Sequence, residues 1–225
     1  MSATLVFDYD GTIHNTMAVY EPAIRETCGW LLENCHRKDY SRLSAAVKDL
    51  SSERISRWLG MNAKDMWMDF MPFLDEDIRD QASARVGDHM KKLVLDHRAH
   101  WYKGAEQTLD MLHKEGYSML ILSNSKRIDG EIHFREFQMD RWFDTWYDCE
   151  SFDWAPKTDI IKEVAKDYPG QLIVIGDRKS DIDAARSIGM KSVGCLYGYG
   201  TPEELSASDY QIADIKELPE ILGRL

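Results

Sequence analysis

Asp8 and Asp10 flank a single tyrosine at the end of the apolar run Thr4-Leu5-Val6-Phe7, and Gly11-Thr12 turns the chain immediately afterwards. A second acidic pair, Asp177 and Asp181, lies in Gly176-Asp177-Arg178-Lys179-Ser180-Asp181, directly after the apolar run Gln171-Leu172-Ile173-Val174-Ile175. A third run, Ser118-Met119-Leu120-Ile121-Leu122, ends in Ser123-Asn124-Ser125, and Lys157 follows Pro156 at the start of a helical pattern. Carboxylates so placed can hold a divalent cation, attack an electrophile or move a proton, and hydroxyl and ammonium groups hold anionic oxygens. Singly, each feature has an ordinary explanation: a polar turn after a strand, a surface lysine at a helix start, an Asp or Ser N-cap. Their shared position beside the carboxyl ends of apolar runs points further, because open α/β sheets bind ligands in that crevice.

The elements that must carry these groups are visible in the apolar pattern. The three runs read as buried strands of a parallel sheet, and Ser192-Val193-Gly194-Cys195-Leu196 is a fourth candidate after the helix-ending Gly189. Glu106 to Lys114, Asp159 to Asp167 and Ile182 to Ile188 repeat apolar residues at helical spacing, the first ending at Gly116 and the second at Pro169-Gly170. This alternation predicts a doubly wound α/β fold. One interval breaks it, since more than a hundred residues separate the first two strands, far beyond one crossover helix. Within it Tyr20, Ile24, Cys28 and Leu31 share a helical face, Ser51 or Ser52 and Asn62 have N-cap chemistry, and Gly60 marks a helix end. Asp75 to His100 reads as a long helix with a break at Gly87. The expected division is therefore an all-helical insertion at 16–92 and an α/β core of 1–15 and 93–225. Trp30, Trp58, Met61, Met66, Trp67, Met68, Phe70 and Met71 are expected mostly to fill the insertion's own core.

Phe7-Asp8-Tyr9-Asp10-Gly11-Thr12 resembles the DxDGT signature of the haloacid dehalogenase-like phosphatases, and Gly176-Asp177 to Asp181 is similar to the family's GDxxxD motif. Ser123-Asn124 and Lys157 resemble its other two motifs, in the same order along the chain. With the helical insertion between the first two motifs, the resemblance to phosphoglycolate phosphatase-like members spans nearly the whole sequence. It implies a Rossmann-like parallel-sheet core with an inserted C1-type helical cap, and a Mg2+-dependent phosphatase working through an aspartyl-phosphate. A carboxylate attacks phosphorus only where the phosphate charge is offset and the leaving oxygen is protonated. On the resemblance Asp8 attacks, and Asp10 protonates the leaving group and then activates water. The metal is held by Asp8, the Asp10 backbone carbonyl and Asp177. Phosphate is held by loop amides at Tyr9, Asp10 and Gly11 and by Ser123, with Thr12 and Asn124 steadying their loops and Lys157 balancing charge. Asp181 holds a metal-bound water or orients Lys157. Arg54 and Lys64, with Arg57, flank a turn resembling the cap segment that approaches the site, and with Lys126 and Arg127 they are candidates to meet a second anionic group of the substrate. A solvated helix face is the equal alternative for Arg54 and Arg57. Two departures stand out: Lys157-Thr158 where the family often has Lys-Pro, and Ile13-His14-Asn15-Thr16 where an apolar residue, Asp and Ser are common. For His14 a structural hydrogen-bonding role is expected.

The totals narrow the partners. With 28 Lys and Arg against 39 Asp and Glu, the net charge of −11 disfavours nucleic acid, whereas a small phosphorylated metabolite can be met through a metal. Phosphoglycolate or a sugar phosphate is the expected substrate class. Cys28, Cys35, Cys149 and Cys195 show no CxxC spacing and are expected as reduced thiols. No apolar run approaches spanning length and no basic leader precedes the first strand, so a cytoplasmic enzyme without membrane contact is expected, as monomer or homodimer. A phosphomutase of the same superfamily uses the same groups. A receiver-like phospho-accepting module also joins Asp, Mg2+ and Lys, but Asp10 and the insertion argue against it.

Overall fold

A computed structural model describes residues 3–34, 38–61, 63–168 and 170–225. Among them β1 (Thr4–Phe7), β2 (Ser118–Ser123), β3 (Thr145–Asp148), β4 (Leu172–Gly176), β5 (Lys191–Cys195) and β6 (Tyr210–Ile212) form one parallel sheet in the order β3-β2-β1-β4-β5-β6. The helices are α1 (Met17–Asn34), α2 (Tyr40–Lys48), α3 (Ser52–Arg57), α4 (Ala63–Phe70), α5 (Glu76–Leu95), α6 (Ala105–Lys114), α7 (Arg127–Glu136), α8 (Lys157–Asp167), α9 (Lys179–Ser187), α10 (Pro202–Leu205) and α11 (Leu218–Leu222). Two compact units result: Met1–Asn15 with His100–Leu225, which holds the sheet, and Thr16–Ala99, which is helical.

Strand alternation builds both faces of the sheet. Leu5, Phe7, Met119, Ile121, Ile173 and Ile175 pack with Leu109 and Leu112 of α6 and Leu218 and Leu222 of α11. The intervening Val6, Leu120, Leu122, Leu172 and Val174 pack with Ile160, Ile161 and Val164 of α8 and Ala184 and Ala185 of α9. Parallel strands covered on both sides must be apolar at every position, which is why the central strands were legible as continuous apolar runs. Two strands lacked that signal. β3 (Thr-Trp-Tyr-Asp) lies at one edge, and β6 has three residues at the other.

In the helical unit α1 packs along α5, and Arg85 of α5 pairs with Glu26 at 2.6 Å while lying over the Trp30 ring. The Ser51 hydroxyl caps α3 by accepting the Arg54 amide at 3.1 Å. Trp58, Met66, Trp67, Phe70 and Met71 are buried, while Met61 and Met68 are exposed. Three expectations need correction. The helix expected over 75–100 ends at Leu95, so a boundary near 92 would cut α5, and the units divide at 99–100. It is also unbroken at Gly87, where an added Cβ meets nothing within 4 Å and the helix merely forgoes about 1 kcal/mol relative to alanine. Finally, α3 stops at Arg57, three residues before the left-handed Gly60. The capping role expected for Asn62, the thiol of Cys35 and the stop at Pro169 lie outside the described residues.

The core of the sheet unit contains a chain of polar side chains. The Trp101 indole N–H donates to the Tyr9 hydroxyl at 3.2 Å, and Tyr9 lies 2.9 Å from Nδ1 of His133. The indole can only donate, so the Tyr9 oxygen accepts from Trp101, and its contact with the imidazole runs in the direction the His133 tautomer sets. Burial, then the neighbouring His14, pushes the His133 pKa down to about 3. In the unfolded chain the imidazole takes up a proton below about 6.5, so acidification between these values favours unfolding. Between pH 7 and pH 5 the wild-type chain should therefore lose roughly 1 to 2 kcal/mol more stability than His133→Gln, after allowance for partial solvent screening. Urea unfolding followed by tryptophan fluorescence at the two pH values measures the difference, and equal losses would remove His133 from the account.

Candidate active site

Asp8 directly follows β1, and its amide donates to the Ile175 carbonyl of β4 at 2.8 Å, so the ends of these neighbouring strands are level. The strand order reverses here, with β2 on one side of β1 and β4 on the other. Lys157, the first residue of α8, extends its ammonium to Oδ1 of Asp8 at 2.5 Å and Oδ1 of Asp181 at 2.7 Å. All three side chains are buried. Asp181 also accepts the Arg178 amide on Oδ2 at 3.0 Å, closing a box at the start of α9. Asp177 follows β4 and accepts the Tyr199 amide on Oδ2 at 2.6 Å. Each of Asp8, Asp177 and Asp181 presents one carboxylate oxygen within 4.8 Å of the others.

Electrostatics mark the group as short of positive charge. Burial raises the Asp8 carboxyl well above its ordinary range, more than Lys157 lowers it. Burial and the nearby Asp181 push Asp177 up to about 7. Burial works against the Lys157 charge, yet the Asp181 and Asp8 carboxylates together hold its pKa above the usual lysine value.

Small residues let these groups meet. Gly11 has φ +88°, and a Cβ there would stand 2.2 Å from Oδ2 of Asp177. A Cβ on Gly176 would strike Asp181, and one on Gly198 would strike Asp177. The loop after β1 winds back on one acceptor: the Tyr9 carbonyl receives the amides of Thr12, Ile13 and His14 at 3.3, 3.0 and 2.9 Å.

A family model of haloacid dehalogenase-like hydrolases matches residues 5–195, from β1 through β5. This chain belongs to the haloacid dehalogenase-like hydrolases. It is 33% identical to glyceraldehyde 3-phosphate phosphatase of Pyrococcus furiosus, across 97% of this chain and 90% of that protein. It is 24% identical to phosphoglycolate phosphatase of Aliivibrio fischeri, across 91% and 88% respectively. A solved haloacid dehalogenase-like family hydrolase from Streptococcus pneumoniae superposes with a TM-score of 0.75 at 20% identity, covering 98% of both chains.

Within this haloacid dehalogenase-like hydrolase the four sequence motifs meet unequally. Asp8, Lys157, Asp177 and Asp181 form one bonded or closely spaced group. Asp181 accepts from the Lys157 ammonium, a contact consistent with the second of its two expected roles. Ser123 ends β2 with a buried Oγ that has no hydrogen-bond partner among the described residues, and Thr12 Oγ1 is in the same condition. Asn124 accepts the Cys149 thiol at 2.9 Å, a partner the sequence did not suggest. The Tyr9 side chain is core rather than site, and the Gly11 amide is spent on the His14 carbonyl at 2.9 Å, so Gly11 serves by its lack of a Cβ. Asp10 keeps 42% of its side chain exposed, with Oδ1 3.3 Å from Nδ1 of His14. Arg54 lies over the Trp58 and Phe70 rings of its own unit, and Lys64 stands 4.0 Å from Glu76. Arg127 pairs with Glu131 at 2.8 Å.

The sequence reading missed the loop Tyr197-Gly198-Tyr199-Gly200. Its Tyr197 hydroxyl donates to the Thr12 carbonyl at 2.8 Å, and its Tyr199 amide holds Asp177. The Tyr-Gly repeat after a strand was the available signal. A Cβ on Gly200 would lie 1.9 Å from the Asp177 carbonyl oxygen, a backbone atom that cannot rotate away. Gly200→Ala should lower Tm by roughly 4–8 °C through overpacking. Gly29→Ala in α1, where nothing lies within 4 Å, should leave Tm unchanged or raise it. Calorimetry on the two variants compares them directly.

Proposed function

We propose that this chain is a divalent-cation-dependent phosphatase that hydrolyses small phosphomonoesters through a phosphorylated Asp8. The observation that carries this reading is the buried group of Asp8, Asp177 and Asp181, two of which, Asp8 and Asp181, share the ammonium of Lys157. Three carboxyl groups face one ammonium, and Oδ1 of Asp177 is buried without a hydrogen-bond partner among the described residues. An all-oxygen donor set of this kind suits Mg2+, with Asp8 and Asp177 as the side chains that would hold it and, on the family resemblance, the Asp10 carbonyl as a further donor. When bound, the ion offsets the charge of the carboxylates and of the incoming phosphate.

The reaction then follows from the chain's own groups. With Oδ1 of Asp8 engaged by Lys157, Oδ2 attacks phosphorus and the ester P–O bond breaks. Asp10, carrying a proton, gives it to the departing oxygen, and the alcohol leaves. The Asp10 carboxylate next takes a proton from water, whose oxygen attacks the same phosphorus. The bond to Asp8 breaks, releasing phosphate and restoring Asp8 and protonated Asp10. The Ser123 hydroxyl, without a hydrogen-bond partner among the described residues, is suited to a phosphate oxygen, and Lys157 offsets part of the cost of an ionised Asp8, the bound cation supplying the rest.

The names of the relatives favour two- or three-carbon acids and sugars bearing one phosphate, such as phosphoglycolate or glyceraldehyde 3-phosphate. In this reading the helical unit is the cap domain of the family, and Arg54 and Lys64 are its candidates for the substrate's far end. No helix among the described residues is long and apolar enough to cross a membrane. The free, buried thiols of Cys28, Cys149 and Cys195 suit a reducing compartment, and a cytoplasmic enzyme is the reading we adopt.

Asp8→Asn should lower turnover of p-nitrophenyl phosphate by about a thousandfold or more, because a nucleophile and its covalent route are both lost. Dialysis against EDTA should abolish the wild-type activity and added Mg2+ should restore it. A substantially active Asp8→Asn variant sinks the proposed nucleophile, and full activity after metal removal sinks the proposed cofactor.

A further inference from the structure

His14 stands four residues beyond Asp10 and is completely buried, unusual for so polar a ring in a loop that carries an acid. Its backbone is fixed on both sides: it pairs with Asp10 and with Trp101, its amide donates to the Tyr9 carbonyl at 2.9 Å, and its carbonyl accepts from Gly11 at 2.9 Å. Its ring is fixed as well. It stacks on Tyr9 with centroids 5.2 Å apart and an interplanar angle of 17°, and meets the edge of His133 at 4.8 Å. Tyr9 and His133 are themselves held by the Trp101 to Tyr9 to His133 chain of hydrogen bonds. From this clamped ring, Nδ1 lies 3.3 Å from Oδ1 of Asp10.

We propose that His14 is a positioning residue for Asp10, its Nδ1–H pinning Oδ1 so that the transferable proton resides on Oδ2. The inference rests on the phosphatase reading above. It accounts for a requirement that reading leaves open, because Asp10 must act first as an acid and then as a base without changing place. A donor on Oδ1 serves both states. Oδ1 accepts the same hydrogen bond whether Oδ2 is protonated or not, and one oxygen therefore does all the proton transfer. A carboxyl group that can present either oxygen spends part of its time with the proton misdirected, and loss of near-attack geometry is costly in rate. No proton leaves His14 in this scheme, so it is not an acid or base of the reaction.

Two substitutions separate positioning from packing. His14→Phe keeps an aromatic ring on Tyr9 but removes the donor. His14→Asn loses the ring but returns an amide N–H near the place of Nδ1. With p-nitrophenyl phosphate and 2-phosphoglycolate as probes, kcat of His14→Phe should fall roughly tenfold to a hundredfold with KM within about twofold, and His14→Asn should recover most of the loss. Rapid mixing of His14→Phe with p-nitrophenyl phosphate should show a burst of p-nitrophenol, since the activated leaving group needs little acid while release of Asp8 still needs Asp10. A His14→Phe enzyme with wild-type kcat, an Asn variant as slow as Phe, or a change confined to KM overturns the proposal. A readout independent of activity is the 15N spectrum of histidine-labelled wild-type protein, in which the His14 signals, absent from His14→Asn, should report the Nδ1–H tautomer and shift in Asp10→Ala. The opposite tautomer overturns the proposal even if the variants misfold. Wild-type protein that hydrolyses neither probe defeats the phosphatase reading instead, while the spectrum still decides the His14–Asp10 contact.

Discussion

One buried ammonium organises the sheet end. Lys157 joins Asp8 after β1 to Asp181 at the start of α9, at 2.5 and 2.7 Å. Ions removed from water cost several kcal/mol each unless their partners are close and well aligned, so neither carboxylate nor ammonium is tolerable in this position without the others. The start of α8, the start of α9 and the end of β1 must therefore converge for the core beneath them to close. The carboxylates outnumber the ammonium, and burial with their mutual repulsion raises the pKa values of Asp8 and Asp177. A group short of positive charge in this way is what the proposed function requires of a cation site.

Alternation along the strands explains why these particular residues meet. Val6 faces the layer of α8 and α9, whereas Leu5 and Phe7 face the opposite layer. Continuing the alternation one step, Asp8 turns toward α8 and α9, which carry Lys157 and Asp181 at their first turns. Gly176, with the parity of Val174, also turns toward α9, and any side chain there would occupy the space of Asp181. Asp177 takes the other parity and meets Gly11, Gly198 and the Tyr199 amide. A shift of one residue in the register of β1 against β4 would reverse these assignments and point Asp8 into apolar packing. The paired register Phe7 to Ile175 is thus as much a requirement of the site as of the sheet.

How much of this could be read in advance follows from where each signal resides. The four central strands, α6, α8 and α9 are written in local apolar periodicity, and Asp8, Ser123, Lys157 and Asp177 stand at the ends of those patterns. Membership of the haloacid dehalogenase-like hydrolases was legible for the same reason, since its motifs are short and local. Edge strands β3 and β6 were not, because a strand with one neighbour is short and need not be apolar throughout. The tertiary contacts were hidden as well. Nothing in the spacing reveals that Cys149 would hold Asn124, or that glycines 198 and 200 would be required by Asp177, some twenty residues earlier in the chain. Such demands arise only once two loops are brought together.

The loop after β1 shows how one short segment can serve core and site at once. Consecutive residues on an extended strand point to opposite sides, so Asp8 and Tyr9 leave β1 in opposite directions. Asp8 is clamped by ionic bonds on the side of α8 and α9, and Tyr9 by aromatic contacts with Trp146, His133 and His14 on the other. Between the two clamps the Tyr9 carbonyl gathers three amides and winds the chain tightly enough to return His14 to Asp10. Asp10 emerges from that winding partly exposed, where a proton can be exchanged, although its backbone neighbours are buried. The rigidity of this loop thus comes from two sources together, the bonds made to its carboxylates and the aromatic packing of the tyrosine between them.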